Sequence, residues 1–165
     1  MSGFSPELLL RAEQLLQQLR ARHLTMTTAE SCTGGLLSAL LTEIAGSSDV
    51  FTHGYITYAN AAKTAMIGVG ESLIHTHGAV SEQVAVAMAE GALNTSGASI
   101  SIAITGIAGP GGATATKPVG LVHMASARVG GETLHTMQQF SGDRAAVRLQ
   151  AVSAAMELVQ RHLSC

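Results

Sequence analysis

The chain has 165 residues, a length that favours one domain with a sizeable core and leaves little room for two. Its formal net charge is -2, and its nine Lys and Arg residues form no dense patch, which argues against nucleic-acid binding. Charged residues make up only 12% of the chain, and this shortfall indicates either surface buried in a homo-oligomer, with a dimer favoured, or a bias toward Ala and Gly.

The first half of the chain predicts alternating helices and strands. Ser5, Pro6 and Glu7 form a helix start, and apolar residues with helical spacing follow at Leu8, Ala12, Leu15 and Leu19. A strand over 24–29, a helix over 36–44 ended by Gly46, and a strand over 51–58 come next. Asn60 is predicted to cap a short helix that ends near Ile67.

The second half predicts a helix, three strands and a closing helix. Ser81 caps an Ala-rich helix to about Asn94, and a strand over 99–105 leads into a Gly-rich loop over 107–118. Two strands, 119–127 and 132–140, join at a Gly130-Gly131 hairpin. The last helix begins near Asp143, with a predicted buried stripe of Ala145, Leu149, Val152, Met156, Val159 and Leu163. This order predicts an α/β fold, a three-layer α/β/α sandwich with a mixed sheet, over one domain spanning 1–165.

Several other classes of protein receive no support from the sequence. No apolar run reaches the roughly 18 residues of a membrane span, and residues 1–11 do not resemble a secretory leader. Cys32 and Cys165 form no disulfide framework, so we expect a soluble, cytoplasmic protein without membrane association. His75 and His77 have no further ligands nearby, and we predict neither a metal nor a cofactor.

The segment from Thr28 to Gly35 lies between a predicted strand and a predicted helix, where ligands of α/β sheets gather. We interpret Ser31 as a candidate nucleophile, with the neighbouring Cys32 as its rival. Backbone N–H groups of the turn at Thr33, Gly34 and Gly35 could hold an oxyanion or a phosphate. A plain tight turn in which Thr33 caps the helix explains the same pattern.

A serine nucleophile needs a base, and Lys63 is the candidate that the sequence offers. If Asn60 caps the short helix, Lys63 lies in its first turn, where the helix dipole and burial both favour a neutral amine. A neutral lysine can accept the serine proton. Tyr58, at the end of the preceding strand, could orient Lys63 or the substrate. A solvated surface lysine and a tyrosine of the core are the alternatives.

A second strand-end loop and one arginine complete the candidate site. Thr105 and Gly106 open a Gly-rich loop whose N–H groups could bind an anion, although such loops also serve as flexible connections. Arg144, in the first turn of the last helix, could grip a phosphate or lie on the surface.

The chain resembles the CinA C-terminal domain family through an ordered set of motifs. They are Ala-Glu-Ser-Cys-Thr-Gly-Gly at 29–35, Tyr-Ala-Asn-Ala-Ala-Lys at 58–63, His-Gly-Ala-Val-Ser at 77–81, Thr-Gly-Ile-Ala-Gly-Pro-Gly-Gly at 105–112, Lys-Pro-Val-Gly at 117–120 and Phe-Ser-Gly-Asp-Arg at 140–144. Each motif alone is weak, but the ordered set covers nearly the whole chain. Many relatives carry a larger N-terminal domain, and the first predicted helix directly after Met1 favours the stand-alone form.

The resemblance implies hydrolysis of nicotinamide mononucleotide to nicotinate mononucleotide and ammonia, in pyridine-nucleotide salvage, without a metal. It places a serine nucleophile at Ser31 and its lysine at Lys63, and it extends to Tyr58, Thr105 and Arg144. We expect Thr33, Gly34, Gly35, Asn60 and Gly106 to contact the substrate as well.

Three positions depart from the family pattern. Ala59 and Ala61 stand where relatives often have Ser and Glu, and Thr116 stands where an acidic residue commonly precedes Lys117. These departures favour the alternative hypothesis, a pyridine-nucleotide-binding module that serves regulation or recruitment without turnover. An amidase for another small amide is a further alternative.

Overall fold

The computed structural model describes residues 2–165, in which a five-stranded mixed sheet carries helices on both faces. The strands are β1 (Met26–Glu30), β2 (Phe51–Ile56), β3 (Ile100–Gly106), β4 (Leu121–Arg128) and β5 (Leu134–Gln139). The helices are α1 (Pro6–Ala21), α2 (Leu36–Thr42), α3 (Asn60–Ile67), α4 (Glu71–His77), α5 (Glu82–Ser96) and α6 (Arg144–Leu163). A single 3-10 turn, Ser47–Asp49, precedes β2.

The order of the strands across the sheet is β2-β1-β3-β4-β5. β1 pairs parallel with both β2 and β3, whereas β4 pairs antiparallel with β3 and β5. The three parallel strands therefore end at the same edge of the sheet. The predicted three-layer sandwich with a mixed sheet is confirmed.

The two faces of the sheet differ because side chains alternate along each strand. Ile100, Ile102 and Ile104 of β3 pack into the larger core, beneath α1, α2 and α6. On the other face, small residues such as Ala103 and Ala125 lie beneath α3, α4 and α5. These small side chains let that helix layer pack close to the sheet.

The close packing of α5 against α3 depends on Gly91. A Cβ atom at this position would lie 2.0 Å from the carbonyl oxygen of Ile67, the last residue of α3. Glycine at position 91 therefore fixes how near α3 approaches α5, and with it the placement of Lys63 on α3.

Several local predictions are confirmed and others are wrong. Ser5 and Ser81 cap α1 and α5 as predicted, through side chains that accept from Leu8 N and Val84 N. Asn60 does not cap α3: Ala59 occupies the cap position without a side-chain bond, and Asn60 is the first helical residue. The seven-residue helix α4, which has no side-chain cap, was not predicted.

Four residues of the stripe predicted for α6 are buried as expected: Val152, Met156, Val159 and Leu163. Ala145 and Leu149 are exposed, while Val147 and Ala151 are fully buried. The buried face is broad because α6 packs against both the sheet and α1. Among the helices of residues 2–165, none is long and apolar enough to cross a membrane.

Candidate active site

The carboxyl ends of the three parallel strands surround a cavity of about 290 Å³. Ser31 follows β1 directly, Tyr58 lies just beyond β2, and Thr105 and Gly106 end β3. Seven of the residues predicted for the site line this cavity: Ser31, Tyr58, Asn60, Lys63, Thr105, Gly106 and Arg144. The structure thus brings together four segments that are far apart in the chain.

The centre of the cavity is a contact between Ser31 and Lys63. Lys63 Nζ lies 3.1 Å from Ser31 Oγ and 2.8 Å from the carbonyl oxygen of Thr57. The carbonyl oxygen of Tyr58 lies 3.5 Å from the same nitrogen. Both Ser31 and Lys63 are buried, and no carboxylate of residues 2–165 forms a salt bridge with Lys63.

Burial lowers the pKa of the Lys63 amine below its usual value, because the charged form loses its hydration. The only charge that would raise this pKa is a Cys32 thiolate, and burial raises the pKa of that thiol to about 11. Cys32 is therefore a thiol near neutral pH, so its side chain does not offset the effect of burial on the pKa of Lys63. The same protonation makes Cys32 a poor nucleophile beside Ser31.

The geometry suits a neutral amine. Neutral Lys63 has two N–H bonds and one lone pair, and the two carbonyl oxygens of Thr57 and Tyr58 can accept those N–H groups. In the structure Lys63 Nζ donates to Ser31 Oγ; once Nζ has lost a proton, its lone pair can accept from the Ser31 hydroxyl at this contact. This is the arrangement that a serine needs in order to pass its proton to a lysine.

Glu30, which the sequence analysis did not use, organises the turn after Ser31. Its carboxylate is fully buried at the start of α2. It accepts from the backbone N–H groups of Gly35, Leu37 and Ser38 at 2.8–3.2 Å, and from the Ser38 hydroxyl at 2.7 Å. A carboxylate is stabilised at a helix N-terminus by the dipole and the free N–H groups. An acid four residues before a Gly-Gly helix start was the signal available in the sequence.

Thr33, Gly34 and Gly35 were predicted to contact the substrate through this turn. None of the three lines the cavity. The N–H of Gly35 donates to Glu30, and that of Gly34 donates to the carbonyl oxygen of Ser31. The positive φ angles of the two glycines, 56° and 97°, show that they serve the sharp turn. Thr33 does not cap α2 either, because Gly35 occupies the cap position.

Tyr58 and Arg144 form one wall of the cavity. The Tyr58 side chain is 61% exposed, and its hydroxyl accepts from Arg144 Nη2 at 3.1 Å, so it neither packs in the core nor orients Lys63. Arg144 Nη1 donates to the carbonyl oxygen of Gly109 at 2.8 Å. A guanidinium has five N–H donors, so Arg144 keeps three for a ligand.

The loop that follows β3 forms a second wall, which Arg144 contacts at Gly109. Thr105 is buried, and its hydroxyl donates to the carbonyl oxygen of Ala79 at 2.8 Å, which joins β3 to the segment before α5. Beyond it, the N–H groups of Ala108, Gly109, Gly111 and Gly112 make no hydrogen bond within residues 2–165, and all four residues line the cavity. Free N–H groups on a loop of this kind attract anions.

The fold and the cavity define an α/β protein built around a serine–lysine pair at the carboxyl edge of its sheet. The family model of the CinA C-terminal domain matches residues 10–163. The chain therefore belongs to the CinA C-terminal domain family.

Individual relatives agree with this assignment. The chain is 51% identical over 151 residues to the Nicotinamide-nucleotide amidohydrolase PncC of Escherichia coli K12, and the alignment covers 92% of each of the two chains. It is 48% identical over 161 residues to a CinA-like protein of Mycolicibacterium vanbaalenii, covering 98% of this chain and 38% of that protein. The crystal structure of the competence/damage inducible protein CihA from Agrobacterium tumefaciens superimposes with a TM-score of 0.95 at 46% identity, covering all of both chains.

Proposed function

We propose that this chain is an amidohydrolase that converts nicotinamide mononucleotide and water to nicotinate mononucleotide and ammonia, with residues 1–165 acting as one domain. The observation that carries the proposal is the 3.1 Å contact between Ser31 Oγ and the buried amine of Lys63. The similarity to relatives named nicotinamide-nucleotide amidohydrolase supports the choice of substrate.

The proposed reaction proceeds in two halves. Neutral Lys63 takes the proton of Ser31, and Ser31 Oγ bonds to the carboxamide carbon of the pyridinium ring. The carbon–nitrogen bond then breaks, and the proton held by Lys63 goes to the departing ammonia. Water attacks the resulting ester and loses a proton to Lys63. The bond to Ser31 Oγ then breaks, Lys63 returns this proton to Ser31, and the acid product gives its remaining proton to the solvent and leaves as the carboxylate.

The nucleotide would lie with its ring amide at Ser31 and its phosphate toward Arg144 and the loop after β3. The free N–H groups of Ala108, Gly109, Gly111 and Gly112 and the three free donors of Arg144 are the groups of the cavity that suit a phosphate. Asn60, at the mouth of the cavity, offers an amide to the ribose hydroxyls.

Ammonia release from nicotinamide mononucleotide tests the proposal, with nicotinate mononucleotide followed by chromatography. The wild type should release ammonia and the acid in equal amounts, and Ser31→Ala should release neither above background. Ser48→Ala removes an exposed hydroxyl away from the cavity and serves as the matched control. Tight binding of the nucleotide by the wild type without any ammonia would refute the enzyme and favour the binding module.

A further inference from the structure

We propose that Arg148 is a positioning residue that holds the backbone N–H of Cys32 in place as the oxyanion donor. This proposal rests on the proposed function, because the oxyanion forms when Ser31 attacks a carbonyl group. Arg148 does not line the cavity, so it would act through the turn and not on the substrate.

Three consecutive carbonyl groups of the turn are held in place. The carbonyl oxygen of Ser31 accepts from Gly34 N at 3.0 Å. Arg148 Nε donates to the carbonyl oxygen of Cys32 at 3.2 Å, and its Nη2 donates to that of Thr33 at 2.8 Å. A forked guanidinium can hold two neighbouring carbonyls at once, which a lysine ammonium cannot do with the same geometry.

The held carbonyls fix the direction of the neighbouring N–H groups. In a trans peptide the C=O and the N–H point in opposite directions. Arg148 holds the Thr33 carbonyl, and this orients the N–H of Gly34, in the same peptide, toward the Ser31 carbonyl. The Ser31 carbonyl accepts from Gly34, so the N–H of Cys32, which shares a peptide with that carbonyl, points away from Gly34. That N–H donates to no backbone or side-chain oxygen of residues 2–165, and Cys32 lines the cavity beside the nucleophile. A donor without an oxygen partner, one residue after a nucleophile, is placed to bind the oxygen of the attacked carbonyl.

Two charged side chains clamp the turn from opposite sides. Glu30 of β1 binds N–H groups at the start of α2, and Arg148 of α6 binds the carbonyl groups just before them. These hydrogen bonds restrict rotation of the turn's peptide groups, so the Cys32 N–H keeps its orientation during the reaction. A donor that is already oriented costs no reorganisation at the moment of attack, which is the condition for strong stabilisation of an oxyanion.

Loss of this support should weaken catalysis and not substrate binding. Removal of one oxyanion donor typically lowers kcat by about 10²–10³-fold. Arg148→Met leaves the Cys32 N–H present but frees two carbonyls, so we expect kcat to fall by about 10–100-fold with KM changed less than about threefold. The midpoint of the pH profile should stay where it is, because Arg148 makes no contact with Lys63.

The test compares Arg148→Met with Arg161→Met, a matched substitution on the last turn of the same helix. Kinetics of ammonia release give kcat and KM, and Arg148→Lys should restore part of the lost kcat. An aldehyde analogue of the nucleotide, which forms a tetrahedral adduct with Ser31, should bind more weakly to Arg148→Met by the factor lost in kcat. Nicotinate mononucleotide should bind both variants alike. A kcat equal to that of Arg161→Met, or a raised KM with unchanged kcat, would overturn the assignment.

A substrate-independent readout separates this proposal from the proposed function. A fluorophosphonate phosphonylates activated serines through a transition state that also places negative charge on an oxygen. Arg148→Met should slow the labelling of Ser31 about tenfold or more, measured by mass spectrometry, while thermal melting confirms that the variant is folded. If Arg148→Met slows labelling but the wild type releases no ammonia, the role of Arg148 is supported and nicotinamide mononucleotide is refuted as the substrate. Labelling at the rate of Arg161→Met, or none in the wild type, would overturn the role of Arg148.

Discussion

Replacing Lys63 with methionine tests the proposed base with the least change in shape. The substitution keeps an unbranched apolar stem in the buried site and removes only the amine that lies 3.1 Å from Ser31 Oγ. A positioned base contributes about 10²–10⁴-fold, so kcat/KM at neutral pH should fall by that factor, or about 2.7–5.4 kcal/mol of transition-state stabilisation. Lys63→Arg keeps donors for the Thr57 carbonyl but cannot become neutral, so it should fail as well.

The pH profile supplies the second half of this prediction. Only neutral Lys63 can accept the serine proton, so wild-type kcat/KM should rise about tenfold per pH unit at low pH and then reach a plateau. The midpoint of this rise should lie below pH 10.5, the ordinary pKa of a lysine, because burial lowers the pKa of Lys63. The assay is ammonia release from nicotinamide mononucleotide between about pH 5.5 and pH 10, with circular dichroism to confirm folding. If the kcat/KM of Lys63→Met is within about threefold of wild type at neutral pH, Lys63 is not the base. Residual activity that rises at high pH would indicate another base.

Three other substitutions probe the surroundings of the pair. Gly91→Ala should push α3 away from α5 and lower the free energy of unfolding by about 1–3 kcal/mol, together with kcat/KM, whereas Gly3→Ala, with no atom within 4 Å, should change neither. Arg144→Met should raise KM for nicotinamide mononucleotide by more than tenfold, and should raise KM for the corresponding nucleoside, which lacks the phosphate, far less. Equal effects on both compounds would show that Arg144 does not bind the phosphate. Burial and His135 lower the pKa of His123, so the unfolded chain binds more protons just below pH 6.5 and the free energy of unfolding falls there as the pH drops. In His123→Gln, urea titrations should show a smaller decrease in the free energy of unfolding between pH 7 and pH 5 than in the wild type. The same decrease in both proteins would assign the effect to other titrating groups.

The sequence predicted the layers of the fold and most of the residues around the cavity. Strand-to-helix alternation and the Gly130-Gly131 hairpin were enough to predict a mixed sheet between two helix layers, and the structure confirms it. Ser31, Lys63 and Thr105 each stand at a strand end or in the first turns of a helix, and this placement predicts a site. These positions converge once β1, β2 and β3 run parallel.

The errors arise where a backbone group has already found a partner within the protein. Gly34 and Gly35 were predicted to offer free N–H groups, but Glu30 and the Ser31 carbonyl use them. Glu30 does so because its strand ends beside the start of α2, a relation that depends on the path of the turn and not on sequence spacing. Arg148 reaches the same turn from a helix more than 110 residues away in the chain.

The identity of the nucleophile is the central claim, and mass spectrometry of acid-quenched reactions tests it most directly. Protein mixed with saturating nicotinamide mononucleotide and quenched in acid should carry the nicotinoyl nucleotide as an ester on the peptide that contains Ser31. The Ser31→Ala variant should carry no adduct and release no ammonia. An adduct on Cys32, or ammonia release by Ser31→Ala at the wild-type rate, would contradict the account.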